Sequence, residues 1–165
     1  SIEDIKKDIG HHFSCKKFVG ADKLLKAMER IENQNGILGI YQKKSNTGLL
    51  LEFKSWDMLD KLMSDKSKSL RELDTNILHS FLLRDVFNID TDNQEDLKHL
   101  SYLRGNKSAI DMLDKEENYD IVCFVNPPSL DDVFSIAEAG EVMPQKSTYF
   151  FPKVYSGLVT RYFNK

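Results

Sequence analysis

Residues 37–53 constrain the fold most. The runs 37–42 and 49–53 are rich in strand-forming side chains and are joined by Ser45-Asn46-Thr47-Gly48. Two such runs flanking an Asn- and Gly-bearing turn form a β-hairpin, because those residues tolerate the positive φ that a tight turn demands. A hairpin early in the chain makes a sheet the centre of the fold, and the segments around it read as further strands and as helices that pack on it.

Ile2, Ile5 and Ile9 recur at helical spacing within residues 2–12, and Leu24, Leu25, Met28 and Ile31 within residues 21–31. Both segments are therefore amphipathic helices, with a short strand expected between them at 13–18. Residues 57–63 suit one or two helical turns. From 69 to 87 the apolar positions Leu70, Leu73, Ile77, Leu78, Phe81, Leu82 and Val86 keep a helical period, with Asp74 placed to N-cap a helix that restarts there. Residues 101–103 suit a short strand and 108–115 a helix. Residues 119–125 are continuously apolar in their second half, as a buried strand is. Pro127-Pro128 stops that strand, and Ser129 with Asp131-Asp132 caps a helix that runs to Ala139 and ends at Gly140. The expected class is α/β in the broad sense (α+β): a mixed β-sheet with flanking helices in a single domain over residues 1–165.

At 165 residues the chain suffices for one domain that buries about two-thirds of its unfolded surface. No apolar run approaches the roughly 20 residues that span a bilayer, and the first residues lack the pattern of a signal peptide. Two cysteines, Cys15 and Cys123, occur; they form neither a disulfide framework nor a Cys-x-x-Cys metal knuckle, which suits a reducing, cytoplasmic compartment. A net charge of −3 argues against nucleic acid as an obligatory partner of the whole domain. The start at Ser1 suggests a processed chain with a partner domain upstream.

Composition changes after Glu141. Residues 142–165 contain no Asp or Glu, yet carry Lys146, Lys153, Arg161 and Lys165 together with Tyr149, Phe150, Phe151, Tyr155, Tyr162 and Phe163. Basic groups among aromatic walls suit an anionic ligand, since excluding water strengthens each charged contact. Lys146-Ser147-Thr148 sets two hydroxyls beside an ammonium, and Pro144 and Pro152 stiffen the loop. The alternative is a last strand whose aromatics fill the core and whose lysines are solvated. The run Gly140 to Ser147 is not a Walker loop: Gln145 replaces the second glycine, and the segment follows a helix instead of opening one.

The run Ala139-Gly140-Glu141-Val142-Met143-Pro144-Gln145-Lys146-Ser147-Thr148-Tyr149-Phe150, followed by Pro152-Lys153 and Ser156-Gly157-Leu158-Val159, resembles a bacterial and archaeal family, the domain-of-unknown-function family ten-fifteen. Its members are sometimes labelled ParB-like chromosome-partitioning proteins. Leu73-Asp74-Thr75-Asn76-Ile77-Leu78-His79 resembles a second signature of that family, and Phe124-Val125-Asn126-Pro127 its strand-to-Asn-Pro junction. The resemblance covers essentially the whole chain. It implies that this is the carboxy-terminal part of a longer protein whose amino-terminal half carries a Pro-Pro-Tyr-Asp type motif; the ParB-like label rests on that half, and no reaction is implied.

Other constellations are weaker. His79 is the one catalytic candidate, set against a helix histidine bonded to a carbonyl; Asp74 lies five residues earlier, off its face. His11-His12 and His99 lack metal-ligand spacing, and Asp90, Asp92, Glu95 and Asp96 lack the glycine and glutamate of a calcium loop. Asn126-Pro127-Pro128-Ser129 lies beyond the carboxyl end of a strand, where ligands of α/β sheets bind, and opens a helix whose amides suit an anion unless Ser129 or Asp131 already satisfies them. Three functions are therefore expected in this order: a domain binding a phosphorylated or carboxylated small molecule through Lys146, Ser147, Thr148, Lys153 and Asn126, without metal or cofactor; a non-catalytic module pairing with the amino-terminal half or with a second copy as a homodimer; and a nucleic-acid-associated protein, for which four basic residues are a poor footprint.

Overall fold

The computed structural model describes residues 2–31, 34–91, 93–116, 118–144 and 147–148. Along the chain run α1 (Ile2–Ile9), β1 (Phe13–Val19), α2 (Ala21–Glu29), β2 (Ile37–Gln42), β3 (Thr47–Phe53), α3 (Trp56–Leu62), α4 (Lys68–Arg71) and α5 (Asp74–Ile77). α5 widens without a break into a π-helical segment, Leu78–Leu83. A 3₁₀ turn (Asp96–His99), α6 (Asn106–Lys115), β4 (Ile121–Val125) and α7 (Leu130–Glu138) follow.

The four strands form one sheet in the order β1-β3-β2-β4. The expected α+β class, a sheet with flanking helices, is present; all three strand pairings are antiparallel, so the sheet itself is antiparallel and not mixed. The hairpin pairs Gln42 with Thr47 and Ile37 with Glu52. Its turn is tighter than expected: Asn46 takes the positive φ of 49°, while Thr47 and Gly48 already belong to β3. Gly48 instead serves packing, because a Cβ there would stand 3.0 Å from Leu24 Cβ.

Alternation along the strands loads both faces. Leu38, Ile40, Leu49, Leu51, Phe13 and Phe53 face a large core closed by Ile2, Ile5 and Ile9 of α1, Leu59 of α3, and Ile77 through Leu83. On the opposite face Leu24 and Met28 of α2 pack with Phe124 of β4, flanked by Ala109 and Ile110 of α6. The result is three layers, helix on sheet on helix. α7 leaves the sheet and buries Ile136 against Leu70 and Leu73, beside Met143.

Two expectations need correction. Residues 101–103 form no strand, and Tyr102 and Leu103 stay about half exposed. The helix over 69–87 is interrupted at Glu72-Leu73 and restarts at Asp74, in line with the expected restart; Asn76 Nδ2 donates to the Leu70 carbonyl across the bend. What differs is the cap. Leu73, not Asp74, takes the N-cap position, with extended backbone at ψ 133°; Asp74 is the first helical residue and turns its carboxyl elsewhere.

Candidate functional site

That bend forms one wall of a polar cleft of about 560 Å³. Leu73, Asp74 and Thr75 line it from the start of α5. Gln34 and Asn35 line it from the approach to β2, and Asn126 to Ser129 with Asp132 from the link between β4 and α7. The cleft thus lies beyond the carboxyl end of β4, at the edge of the sheet, and has the size of a small-molecule site.

Asp74 is 8% exposed, yet half of its carboxyl is unmatched. Gly36 N donates to Oδ1 at 2.6 Å, whereas Oδ2 is buried with no hydrogen-bond partner. Burial pushes this carboxyl up to about 6; the backbone amides of Gly36, Asn126 and Ile37 pull the other way, and the charge of Asp132 adds to the rise. The Asn126 and Ile37 amides are near enough to favour the ionised form without meeting hydrogen-bond geometry at Oδ2. Gly36 is required at its position: φ is +82°, and a Cβ would stand 2.7 Å from the Trp56 ring.

Asn126 presents the complementary defect. Its Nδ2 is buried and also without a hydrogen-bond partner. A buried polar group left unpaired costs about 1–3 kcal/mol, so two in one cleft mark a place where a ligand or water completes the structure.

Ser129 and Asp132, also in the cleft, are committed to each other. Ser129 Oγ accepts from Asp132 N at 3.0 Å, and Asp132 Oδ2 accepts from Ser129 N at 3.0 Å, a capping box that satisfies the start of α7. This realises the alternative weighed for the Asn-Pro-Pro-Ser turn, with Asp132 as the reciprocal partner. Two carboxylates and no cation stand among the described lining residues.

Of the residues expected to bind ligand, Asn126 is in the cleft. Ser147 is buried; its Oγ donates to the Pro144 carbonyl at 2.8 Å and lies 3.4 Å from Thr75 Oγ1, so it links Pro144 to the cleft wall. Thr148 is exposed. Lys146 and Lys153 lie outside the described residues. His79 is half-buried on the π-helical segment with Nδ1 3.4 Å from Thr91 Oγ1; it is not among the cleft-lining side chains, and the structure does not bring it together with Asn126.

Part of the 139–150 run is architectural. Glu141 Oε1 accepts from Ser67 N at 2.9 Å, and the Ser67 hydroxyl together with that amide holds its carboxyl below the usual range. Met143 packs beside Leu70 and Leu73. The run is thereby tied to the α4–α5 wall of the cleft. Asp74, Thr75, Gln34 and Asn35 escaped the sequence reading as site residues. For Asp74 the available signal was an acidic side chain set into an otherwise apolar helical stretch; Gln34 and Asn35 carried none.

Among the described residues no three His, Cys, Asp or Glu side chains are grouped to hold a metal, and no helix is long and apolar enough to cross a membrane. Cys15 and Cys123 are both free, and burial pushes the Cys123 thiol up to about 12. The fold is thus an α+β layered domain with a polar cleft at one sheet edge. No family model, curated protein or solved structure matches the chain.

Proposed function

We propose that this domain binds a small carboxylated or phosphorylated molecule, with the Asp74–Asn126 cleft as its site. The observation that carries the reading is the pair of unmatched buried groups, Asp74 Oδ2 and Asn126 Nδ2, in one cleft of ligand size. A site with a few convergent polar groups and a carboxyl that titrates near neutral pH is the usual signature of ligand binding or proton transfer. The anionic end of the ligand needs cations that the described lining lacks. In this reading Lys146 and Lys153 supply them, supported by Ser147 against Thr75 of the cleft wall and by the neighbouring Thr148. The longer protein is a cytoplasmic member of the family that the 139–150 run resembles.

The experiment is a thermal-shift screen of carboxylates, phosphosugars and nucleotides, followed by calorimetry on the chain and on its Lys146→Ala and Asn126→Ala variants. Loss of binding by at least tenfold in both variants is the expected result. A screen without any stabilising anion ends the proposal.

A second reading, an interaction module, is favoured by Leu130 and Phe134. They lie one turn apart on α7 and are 67% and 63% exposed. The occupant is then the amino-terminal half that the resemblance implies. Light scattering on the co-expressed halves, with Phe134→Ser as control, distinguishes it from self-association.

A further inference from the structure

The hydrogen-bond inventory of the cleft restricts what its ligand carries, provided the cleft is the ligand site proposed above. Asp74 Oδ1 is taken by Gly36 N, Asp132 Oδ2 by Ser129, and Ser147 Oγ by the Pro144 carbonyl. Among the buried side-chain atoms of the described lining, Asp74 Oδ2 and Asn126 Nδ2 are left without a partner. The first, in the ionised carboxylate, only accepts; the second only donates. Both belong to one small region, since the Asn126 backbone amide already lies against the Asp74 carboxyl.

Each simple ligand group can be weighed against this pair. A carboxylate or phosphate oxygen satisfies Asn126 but is repelled by Asp74. An ammonium satisfies Asp74 but leaves Asn126 facing another donor. A hydroxyl does both through one atom, its oxygen accepting while its proton is donated. A hydroxyl also carries no charge into a pocket where Asp132 stands nearby.

We infer that Asp74 and Asn126 together read a hydroxyl of the ligand, which is therefore a hydroxy acid or a polyol phosphate and not a plain carboxylate or phosphate. The proton goes to Asp74 Oδ2, and the oxygen accepts from Asn126 Nδ2. Sites built to hydrogen-bond a ligand hydroxyl reject the analogue without it strongly, because their own buried polar groups are then left unpaired. The anionic end is held elsewhere, and selectivity lies in this pair.

Calorimetry at pH 7.5 with matched probes tests this: malate against succinate, lactate against propionate, glycerol 3-phosphate against propyl phosphate. In at least one pair the hydroxylated probe binds tenfold or more tightly than its deoxy partner. Asn126→Ala and Asp74→Asn each bring that ratio close to one while the melting transition stays cooperative. The ratio is read within one variant, so a general loss of stability does not mimic the effect. Equal affinity within every pair overturns the hydroxyl reading. If both members then weaken together in Asn126→Ala, the cleft survives as an anion site. Tighter binding of malonamate than of either malate or lactate assigns the pair to a carboxamide and overturns the inference. Absence of binding by any probe overturns the inference and the site together.

Discussion

Asp74 sits where an apolar helix start would pack more comfortably, and its carboxyl is held by one backbone amide on one side only. In the unfolded chain it ionises near 3.8, whereas in the fold it keeps its proton up to about 6. The folded state thus binds more protons than the unfolded chain between those values. Stability is highest below the window, falls as pH rises through it by about 3 kcal/mol, and is level above it. Asp74→Asn removes the fall. In thermal melts of parent and variant at pH 4 and pH 7.5, the stability difference should move toward the variant by about that amount. A pH-independent difference would contradict the assignment. Gly36 is the second residue on which the site turns. Gly36→Ala combines a left-handed backbone with a Cβ against Trp56 and should cost at least about 2 kcal/mol. Denaturant midpoints measure that cost, and Trp56 fluorescence reports the displaced ring.

At the scale of elements, α7 shows how local signals place a wall of the cleft. Ser129 and Asp132 satisfy each other's backbone amides, and Gly140, at φ +70°, ends the chain's turn out of the helix. Ser129→Ala should cost about 1 kcal/mol. Asp132→Ala should cost a similar amount, and the double variant less than the sum, because both break one reciprocal pair. Chemical denaturation of the four proteins checks the non-additivity; strict additivity would mean that the pair does not act as a unit. The break between α4 and α5 is an element of another kind. The apolar period across 69–87 continues through it, so periodicity alone reads one helix. The bend rests on the Asn76 side chain bonding the Leu70 carbonyl and on Glu141 meeting Ser67 N from far along the chain. Without that bend Asp74 would continue a helix face instead of opening a cleft.

For the whole molecule, the layered core decides stability and leaves the cleft at its margin. Phe81 is fully buried, with its ring centroid 4.8 Å from that of Phe53 and 5.0 Å from that of His12. It joins the π-helical segment to the sheet. Phe81→Ala should lose about 3–5 kcal/mol, measured by urea unfolding, and should weaken ligand binding only through the population that remains folded. A variant as stable as the parent would mean that this layer is not the main core. On the other face Gly39 admits Met28, whose Sδ would lie 2.6 Å from an added Cβ, so α2 lies close on the sheet only because that position has no side chain.

The strands, the hairpin, the amphipathic helices and the caps of α7 were legible in the sequence, because each rests on interactions among neighbours within a turn or two. The position of Asn126 was also partly legible, since Asn-Pro after a buried strand marks a strand end. Strand order, the angle of the bend before α5 (whose restart at Asp74 the sequence did offer) and the placing of Asp74 beside Asn126 were decided by tertiary structure. Asp74 and Asn126 lie on separate elements, and what joins them is burial: the fold withdraws from water two polar atoms that, in the extended chain, would each be hydrated and unremarked. Lys146 and Lys153 stood out by composition, but composition carries no distance, and a site is defined by distances.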